Sequence, residues 1–285
     1  MKKISLFFGL LLLQTALFAQ DTLPAPTSYR VNKVSFNMVR VDKGGFWMGA
    51  QHMDTAEFNY DRHSKLDELP VHYVNIAEDY FIGQTEVTQK LWKAVMGYNP
   101  SKFKCKKRPV TNVDYYDIQE FLYRIDSLTG MKFRLPTEEE WEYAARGGKN
   151  TKGYVYSGGN DVEKVAWTNE NARKIKKVKK RMANELGIYD MSGNVWEWCG
   201  TRYRYFDKER NAKLGREGDM YSIRGGACEL PKTSARVSWR GKRLPDLKNS
   251  YGGFRLCLDA TYVKEAEEDE KELITTENEE TTEEE

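Results

Sequence analysis

Two carboxylates on either side of a glycine-containing turn are the best candidates for metal ligands in this sequence. Asp190 and Glu197 bracket a short segment that includes Gly193. Calcium binds roughly 6 to 8 oxygen atoms from carboxylates and carbonyl groups, so oxygen ligands at this spacing suit it. The alternative is a plain turn capped by Asp190, with Trp196 and Trp198 in the core. The residues alone leave both interpretations open.

Arginines beside glycine pairs form a second candidate site. Arg224 precedes one such pair, and Arg255 follows another at a distance of two residues. Glycine lets backbone segments approach closely, and a guanidinium group donates paired hydrogen bonds to carboxylates or carbonyls. These residues are either buried structural ion pairs or the floor of a groove for an anionic or peptide ligand. The groove residues that we predict are Arg236, Arg240 and Arg255.

Cysteine spacing bears on both metal and redox chemistry. The chain has four cysteines, at Cys105, Cys199, Cys228 and Cys257. They are far apart and form no Cys-x-x-Cys, which argues against a zinc site. In an oxidising compartment two disulfides are expected, and four cysteines allow three pairings. Cys228 is also a candidate redox cysteine, provided that it is a free thiol near an open cleft.

The helices that must position these residues have clear start and stop signals. Thr88 and Asp114 are predicted to cap the first two helices, which Gly97 and Gly130 end. Within residues 134–148, Thr137-x-x-Glu140 forms a capping box for a third helix, whose acidic first turn reads as a solvated face. Residues 34–48 predict two short strands around a turn at Gly44-Gly45, and residues 51–69 a surface loop.

Charge is unevenly distributed, although the formal net charge is only +2. The last 21 residues hold twelve carboxylates against the single Lys271, whereas residues 173–181 form a basic run. The run is interpreted as a solvated surface, with an acidic partner or the chain's own acidic tail as the alternative. An exported protein seldom meets nucleic acid, so we predict no nucleic-acid partner.

The N-terminal sequence predicts export. Residues 1–19 have the layout of a signal peptide, with cleavage after Ala19, and no later segment reaches the about 20 apolar residues of a membrane-spanning helix. We predict a linker over residues 20–33, one folded domain over 34–262 and a disordered acidic tail over 263–285. The expected location is the periplasm or the cell surface.

Several motifs in one order resemble those of the formylglycine-generating enzymes, also called sulfatase-modifying factors. They are Met48-Gly49, Glu86-Val87-Thr88, Pro109-Val110, residues 134–148, residues 189–198, Arg224-Gly225-Gly226 and Gly253-Phe254-Arg255. The resemblance implies a single α+β domain with a C-type-lectin-like fold and little regular secondary structure. It also implies that Asp190, Glu197 and the carbonyls of Gly193 and Val195 are calcium ligands.

The same resemblance argues against the enzymes' activity. Members that oxidise a sulfatase cysteine bind copper(I) through two cysteines after the Gly-Gly pair, and thiolates suit this soft ion. The corresponding positions here are Leu230 and Ala235, so we expect no copper site. Because the family places the two strands close together, we favour a Cys199–Cys228 disulfide, with Cys105–Cys257 as the second.

A non-catalytic, exported binding or scaffolding protein is therefore the predicted function. Some relatives serve in cell-surface assemblies such as gliding or secretion machinery, and the expected partner is an envelope or exported protein or peptide. The alternative is an oxygen-dependent enzyme that modifies exported proteins, with Cys228 in an unusual redox pair. The oligomeric state does not follow from the sequence.

Overall fold

The computed structural model describes residues 26–213 and 215–262 of the 285-residue chain. The predicted signal peptide and the predicted acidic tail lie outside the described residues. The strands are β1 (Thr27–Val31), β2 (Val34–Val41), β3 (Gly44–Met48), β4 (His72–Ile76), β5 (Tyr80–Gly83), β6 (Phe133–Arg134), β7 (Trp196–Arg202), β8 (Tyr221–Arg224), β9 (Arg240–Arg243), β10 (Gly252–Gly253) and β11 (Cys257–Asp259). The helices are α1 (Gln89–Met96), α2 (Tyr115–Thr129), α3 (Glu138–Ala145), α4 (Val162–Val165) and α5 (Lys208–Asn211).

The three predicted helices are confirmed at the predicted caps. The Thr88 hydroxyl accepts the Leu91 N–H at the start of α1, and Gly97 ends it in the left-handed region. Asp114 and Asp117 form a reciprocal capping box at the start of α2. Thr137 and Glu140 do the same for α3. The local sequence is enough to predict where these helices begin, because each capping side chain accepts a hydrogen bond from a backbone N–H group that lacks a partner within the helix.

The predicted turn at Gly44-Gly45 is wrong, because both glycines belong to β3. This strand pairs antiparallel with β4, and β2 pairs with β1 and β5 instead. A Cβ at Gly45 would lie 1.8 Å from the Tyr73 hydroxyl oxygen. The glycine thus lies beneath the Tyr73 side chain, and a larger residue would require this exposed side chain to move.

The predicted boundary between linker and domain is also too late in the sequence. Residues 27–31 of the predicted linker form β1, an edge strand paired with β2 from Thr27 opposite Met38 to Val31 opposite Val34. The segment shows no apolar period because most of its side chains are polar and face solvent. Pairing with β2 orders it nonetheless.

Three sheets and two main hydrophobic clusters make up the α+β fold, which confirms the predicted class. The sheets have the strand orders β1-β2-β5-β11-β6, β10-β7-β8-β9 and β3-β4. One cluster packs α1 and α2 against the first two sheets around Trp92, Phe121 and Phe254. The other surrounds Trp141 of α3. No helix in the described part has the length and hydrophobicity needed to cross a membrane.

Candidate functional site

Two glutamates of α3, Glu138 in its first turn and Glu142 in the next, point into the protein. The Glu138 carboxylate accepts hydrogen bonds from Arg240, with Nε to Oε1 and Nη2 to Oε2 distances of 2.7 Å, and also from Arg224. Glu142 pairs with Arg224 and with Arg146, whose Nη2 lies 2.6 Å from Oε1. The expectation of a solvated acidic face is therefore wrong for these two glutamates, because β8 and β9 bring arginines against them.

Ion pairing keeps these buried carboxylates charged. Burial alone raises the pKa of Glu138, but Arg240 and Arg224 outweigh it and lower the pKa to about 2. For Glu142 burial likewise opposes ionisation, and Arg146 and Arg224 lower the pKa overall. Both carboxylates of the cluster are paired with arginines, which gives α3 a structural role.

The three predicted groove arginines do not line an open groove. Arg236 donates to Glu68 over 2.6 and 2.8 Å, Arg240 is held by Glu138, and Arg255 is held by Glu197. Their exposed fractions are 1%, 4% and 0%. The chain supplies its own carboxylates to all three guanidinium groups, an arrangement that favours the structural alternative over a groove.

Glu197, one of the predicted calcium ligands, is engaged by other residues of the chain. Arg255 donates Nε to Oε2 over 2.6 Å and Nη2 to Oε1 over 2.7 Å. The Trp141 indole N–H donates to Oε2 over 2.6 Å. Both carboxylate oxygens are therefore engaged by protein donors.

The Asp190 end of the motif fits a cation better. Asp190 Oδ2 accepts the Lys179 backbone N–H over 2.8 Å, whereas Oδ1 is buried without a hydrogen-bond partner. Positive φ angles of 60° at Asp190 and 79° at Gly193 curl the backbone of this turn, and Val195 is buried. Within the described residues, no group of three or more His, Cys, Asp or Glu side chains is placed to hold a metal ion.

A second buried carboxylate lies close to Asp190 and was not assigned a role from the sequence. Asn194 Nδ2 donates to Glu86 Oε1 over 2.8 Å, but Glu86 Oε2 is buried without a partner. Burial, followed by the charges of Asp190 and Glu197, raises the pKa of Glu86 well above its usual range. Burial also raises the pKa of Asp190 to about 6. A carboxylate two residues before the Thr88 helix cap was the available sequence signal.

Glu86 lines a cavity of about 210 Å³ between β2, β5 and the basic run. Its polar wall includes Asn37, Gln84 and Lys179, and its apolar wall includes Met38 and Leu256. Lys179 Nζ donates to Gln84 Oε1. Neither of the predicted copper positions, Leu230 and Ala235, is among the residues that line it.

All four cysteines are thiols, so the two predicted disulfides are absent from the structure. Cys199 and Cys257 lie in the hydrophobic cluster of α3, whereas Cys228 lies in a separate small cluster with Ile175. Cys105 is partly exposed in the segment after α1. Each predicted pair therefore joins residues from different regions of the fold.

The geometry at Cys228 does not favour nucleophilic chemistry. The residue is 1% exposed, and burial raises the pKa of its thiol to about 12. A reactive cysteine needs a thiolate, which a low pKa and solvent access promote. At the expected copper positions, Leu230 packs against the main hydrophobic cluster and Ala235 is fully buried.

Known proteins are similar to this chain in sequence and in fold. The chain is 34% identical over 215 residues to "Chaperone protein LppX" of Paenibacillus barcinonensis, covering 58% of this chain and 74% of the relative. It is 36% identical over 146 residues to "Inactive C-alpha-formylglycine-generating enzyme 2" of Bos taurus, covering 45% of this chain and only 44% of the relative. The solved structure "Treponema denticola variable protein 1" superposes with a TM-score of 0.68 and 28% identity, covering 83% of this chain and 99% of that one.

The family model for the sulfatase-modifying factor enzyme 1-like domain matches residues 28–260, which is nearly all of the described chain. Formylglycine-generating enzymes are among the related sequences. The match begins within β1, in agreement with the earlier start of the domain in the structure. The chain therefore belongs to the sulfatase-modifying factor family.

Proposed function

We propose that this protein is a non-catalytic member of its family and acts as an exported binding component of a cell-envelope protein assembly. The observation that carries the proposal is the apolar pair Leu230 and Ala235 at the positions where the family resemblance places copper-binding cysteines. A methyl or isobutyl group cannot donate a thiolate to copper. Cys228, two residues before Leu230, is buried and has a pKa of about 12.

A binding role is supported by an exposed aromatic patch, formed by Trp47, Phe58 and Tyr73. Trp47 stacks on Phe58 with ring centroids 5.0 Å apart and contacts Tyr73 edge-on at 5.6 Å. Their exposed fractions are 40%, 59% and 60%. Contiguous exposed aromatic groups are typical of interaction sites, because burying them against a partner contributes much of an interface's energy.

The patch forms one side of a shallow apolar depression that suits a protein or peptide partner. Met53 and Val71 add apolar walls beside Trp47 and Phe58, and Asp54 and Glu57 lie at its edge. We take the partner to be an envelope or exported protein, in keeping with the signal-peptide layout of residues 1–19. The name of the bovine relative, an inactive enzyme, and that of the bacterial chaperone are in line with a role without catalysis.

Calcium is proposed as a structural ion at the Asp190 turn. The carboxylate of Asp190 and the carbonyls of Gly193 and Val195 are its proposed ligands, because Asp190 Oδ1 is buried without a partner. The ion would supply positive charge to two buried acidic side chains, Asp190 and Glu86. Glu197 is not included, since Arg255 already neutralises it.

The test is affinity capture from the native cell envelope with the wild-type chain and a Trp47→Ser/Phe58→Ser variant. We expect a reproducible set of envelope proteins that the variant fails to retain. A matched control, Tyr116→Ser/Tyr123→Ser, removes two equally exposed aromatics from α2 and should retain the set. Equal capture by the variant and the wild type would contradict the role of the patch.

Oxygen uptake with a cysteine-containing sulfatase peptide tests the absence of catalysis separately. We expect no uptake above the background without protein, with or without added copper(I). Uptake accompanied by conversion of the peptide cysteine to an aldehyde would overturn the non-catalytic proposal, whatever the outcome of the capture experiment.

A further inference from the structure

The fold joins two basic segments that are distant in sequence. Residues 102–108 contain five lysines and arginines, residues 173–181 contain seven, and neither segment has an acidic residue. The Val178 N–H donates to the Lys107 carbonyl over 3.0 Å, so the segments lie side by side. We call the two segments together the basic surface.

The second segment is fixed to the domain and does not extend freely into solvent. Ile175 is 3% exposed and packs with Cys228 and Val195. The Lys176 N–H donates to Asn194 Oδ1 over 2.9 Å, and the Lys179 N–H donates to Asp190 Oδ2 over 2.8 Å. These contacts hold the exposed lysines of the segment at defined positions.

Most charges of the basic surface are not neutralised by the described residues. The side chains of Lys104, Lys107, Lys174, Lys177 and Lys180 are exposed. Among the described residues, the ion pair that a residue of these segments forms joins Arg181 Nη2 to Glu163 Oε2 at 3.8 Å. Twelve positive charges held this close repel one another, and the repulsion favours binding of a polyanion.

We propose that the basic surface is the docking site for the chain's own acidic C-terminal tail. Residues 265–285 carry twelve carboxylates and one lysine, a number that matches the twelve basic residues of the surface. Because the two are parts of one chain, their effective concentration is on the order of millimolar, well above that of an external acidic peptide at ordinary levels.

The described chain ends near enough for this contact. After β11, the Ala260 N–H donates to the Asp79 carbonyl, at one end of β5. Lys179 of the basic surface contacts Gln84, just beyond the other end of β5. The four residues of β5 separate Asp79 from Gln84, so the five steps of extended chain between them span about 17 Å. Residues 263–285 can extend to roughly 75 Å, so the tail reaches the surface with residues to spare.

Zero-length carbodiimide cross-linking of the full chain tests the proposal, because it joins only carboxylates and amines already in contact. We expect tail glutamates linked to lysines of the basic surface, within single molecules and lost at high salt. A Lys174→Glu/Lys177→Glu/Lys180→Glu variant should reduce the links to the lysines that remain on the basic surface, such as Lys104 and Lys107, by about tenfold. A control with the same charge change, Lys152→Glu/Lys208→Glu/Lys213→Glu, alters exposed lysines elsewhere. It should leave the links between the tail and the basic surface unchanged.

Three outcomes would overturn the proposal. The first is an absence of tail links to the basic surface, and the second is equal loss of links in both variants. The third is links between light and heavy isotope-labelled molecules, which would assign the tail to a second copy. Thermal unfolding of each variant, expected within about 2 °C of the wild type because only exposed side chains change, guards against loss of fold.

Discussion

Arg255 and Glu197 form a fully buried bidentate ion pair that fastens the segment between β10 and β11 to β7. The Nε to Oε2 distance is 2.6 Å and the Nη2 to Oε1 distance is 2.7 Å. Arg255 also donates to the carbonyls of Gly83 and Tyr189. One side chain therefore joins the first sheet, the second sheet and the turn of Asp190.

Loss of Arg255 should be strongly destabilising. Arg255→Met leaves Glu197 charged and buried without its partner, which costs about 3–5 kcal/mol in comparable buried pairs. Urea unfolding at neutral pH should show a decrease of that size in the free energy of unfolding. Arg40→Met breaks half-exposed pairs with Asp42 and Asp79 and should cost less than about 1 kcal/mol. Similar effects of the two substitutions would contradict the structure.

Because of the buried ion pairs of Glu138, we expect the fold to lose stability in acid. The folded-state pKa of Glu138, about 2, lies below the usual value of 4.5, so its ion pairs stabilise the fold above about pH 4.5. This contribution, on the order of 3 kcal/mol, is lost as the pH falls from about 5 towards 2. In urea unfolding over this range, Glu138→Gln should flatten the decline in stability. The exposed Glu120, paired with Arg124, provides the control Glu120→Gln, which should leave the pH profile unchanged.

Local features of the fold could be predicted from the sequence, because caps and apolar stripes act within one helix. Thr88, Asp114 and Thr137 each begin a helix as expected. The buried ion pairs could not be predicted in this way. Arg236 and Glu68 are 168 residues apart, and nothing in their local sequence distinguishes a buried pair from two solvated charges.

The candidate site was predicted only in part for the same reason. The Asp190 turn was identified, but Glu86 approaches it from 108 residues away through Asn194. Glu197 has the residue type of a calcium ligand, yet its partner Arg255 comes from another segment. Residue type indicates which chemistry is available, whereas tertiary contacts decide which group is free to perform it.

Counting the reactive thiols distinguishes four free cysteines, which the structure has, from two disulfides. Only Cys105 is partly exposed, since Cys199, Cys228 and Cys257 are buried and burial raises the pKa of each of these thiols. A thiol reagent applied without reductant should therefore modify one cysteine quickly in the folded protein and all four in denaturant. Cys105→Ser should abolish the fast reaction. No reactive thiol in denaturant would show that the disulfides form after all.

Calcium should stabilise the protein through Asp190. Without an ion, the Asp190 carboxylate is buried with one oxygen unpaired beside Glu86, an arrangement that opposes folding whenever both are charged. When the free calcium concentration is a hundred times the dissociation constant, binding adds about 2.7 kcal/mol to the free energy of unfolding. This should raise the Tm by about 5 °C or more for a domain of this size. Differential scanning calorimetry with calcium or a chelator measures this shift.

Asp190→Asn keeps a hydrogen-bond acceptor for the Lys179 N–H but removes the charge, so its Tm should respond little to calcium. Asp42→Asn, at an exposed position, should respond as the wild type does. Magnesium should shift the Tm less, because it requires a stricter octahedral geometry and retains its water ligands. An equal calcium response in the wild type and in Asp190→Asn would place the ion at another site, and no response in either would contradict calcium binding.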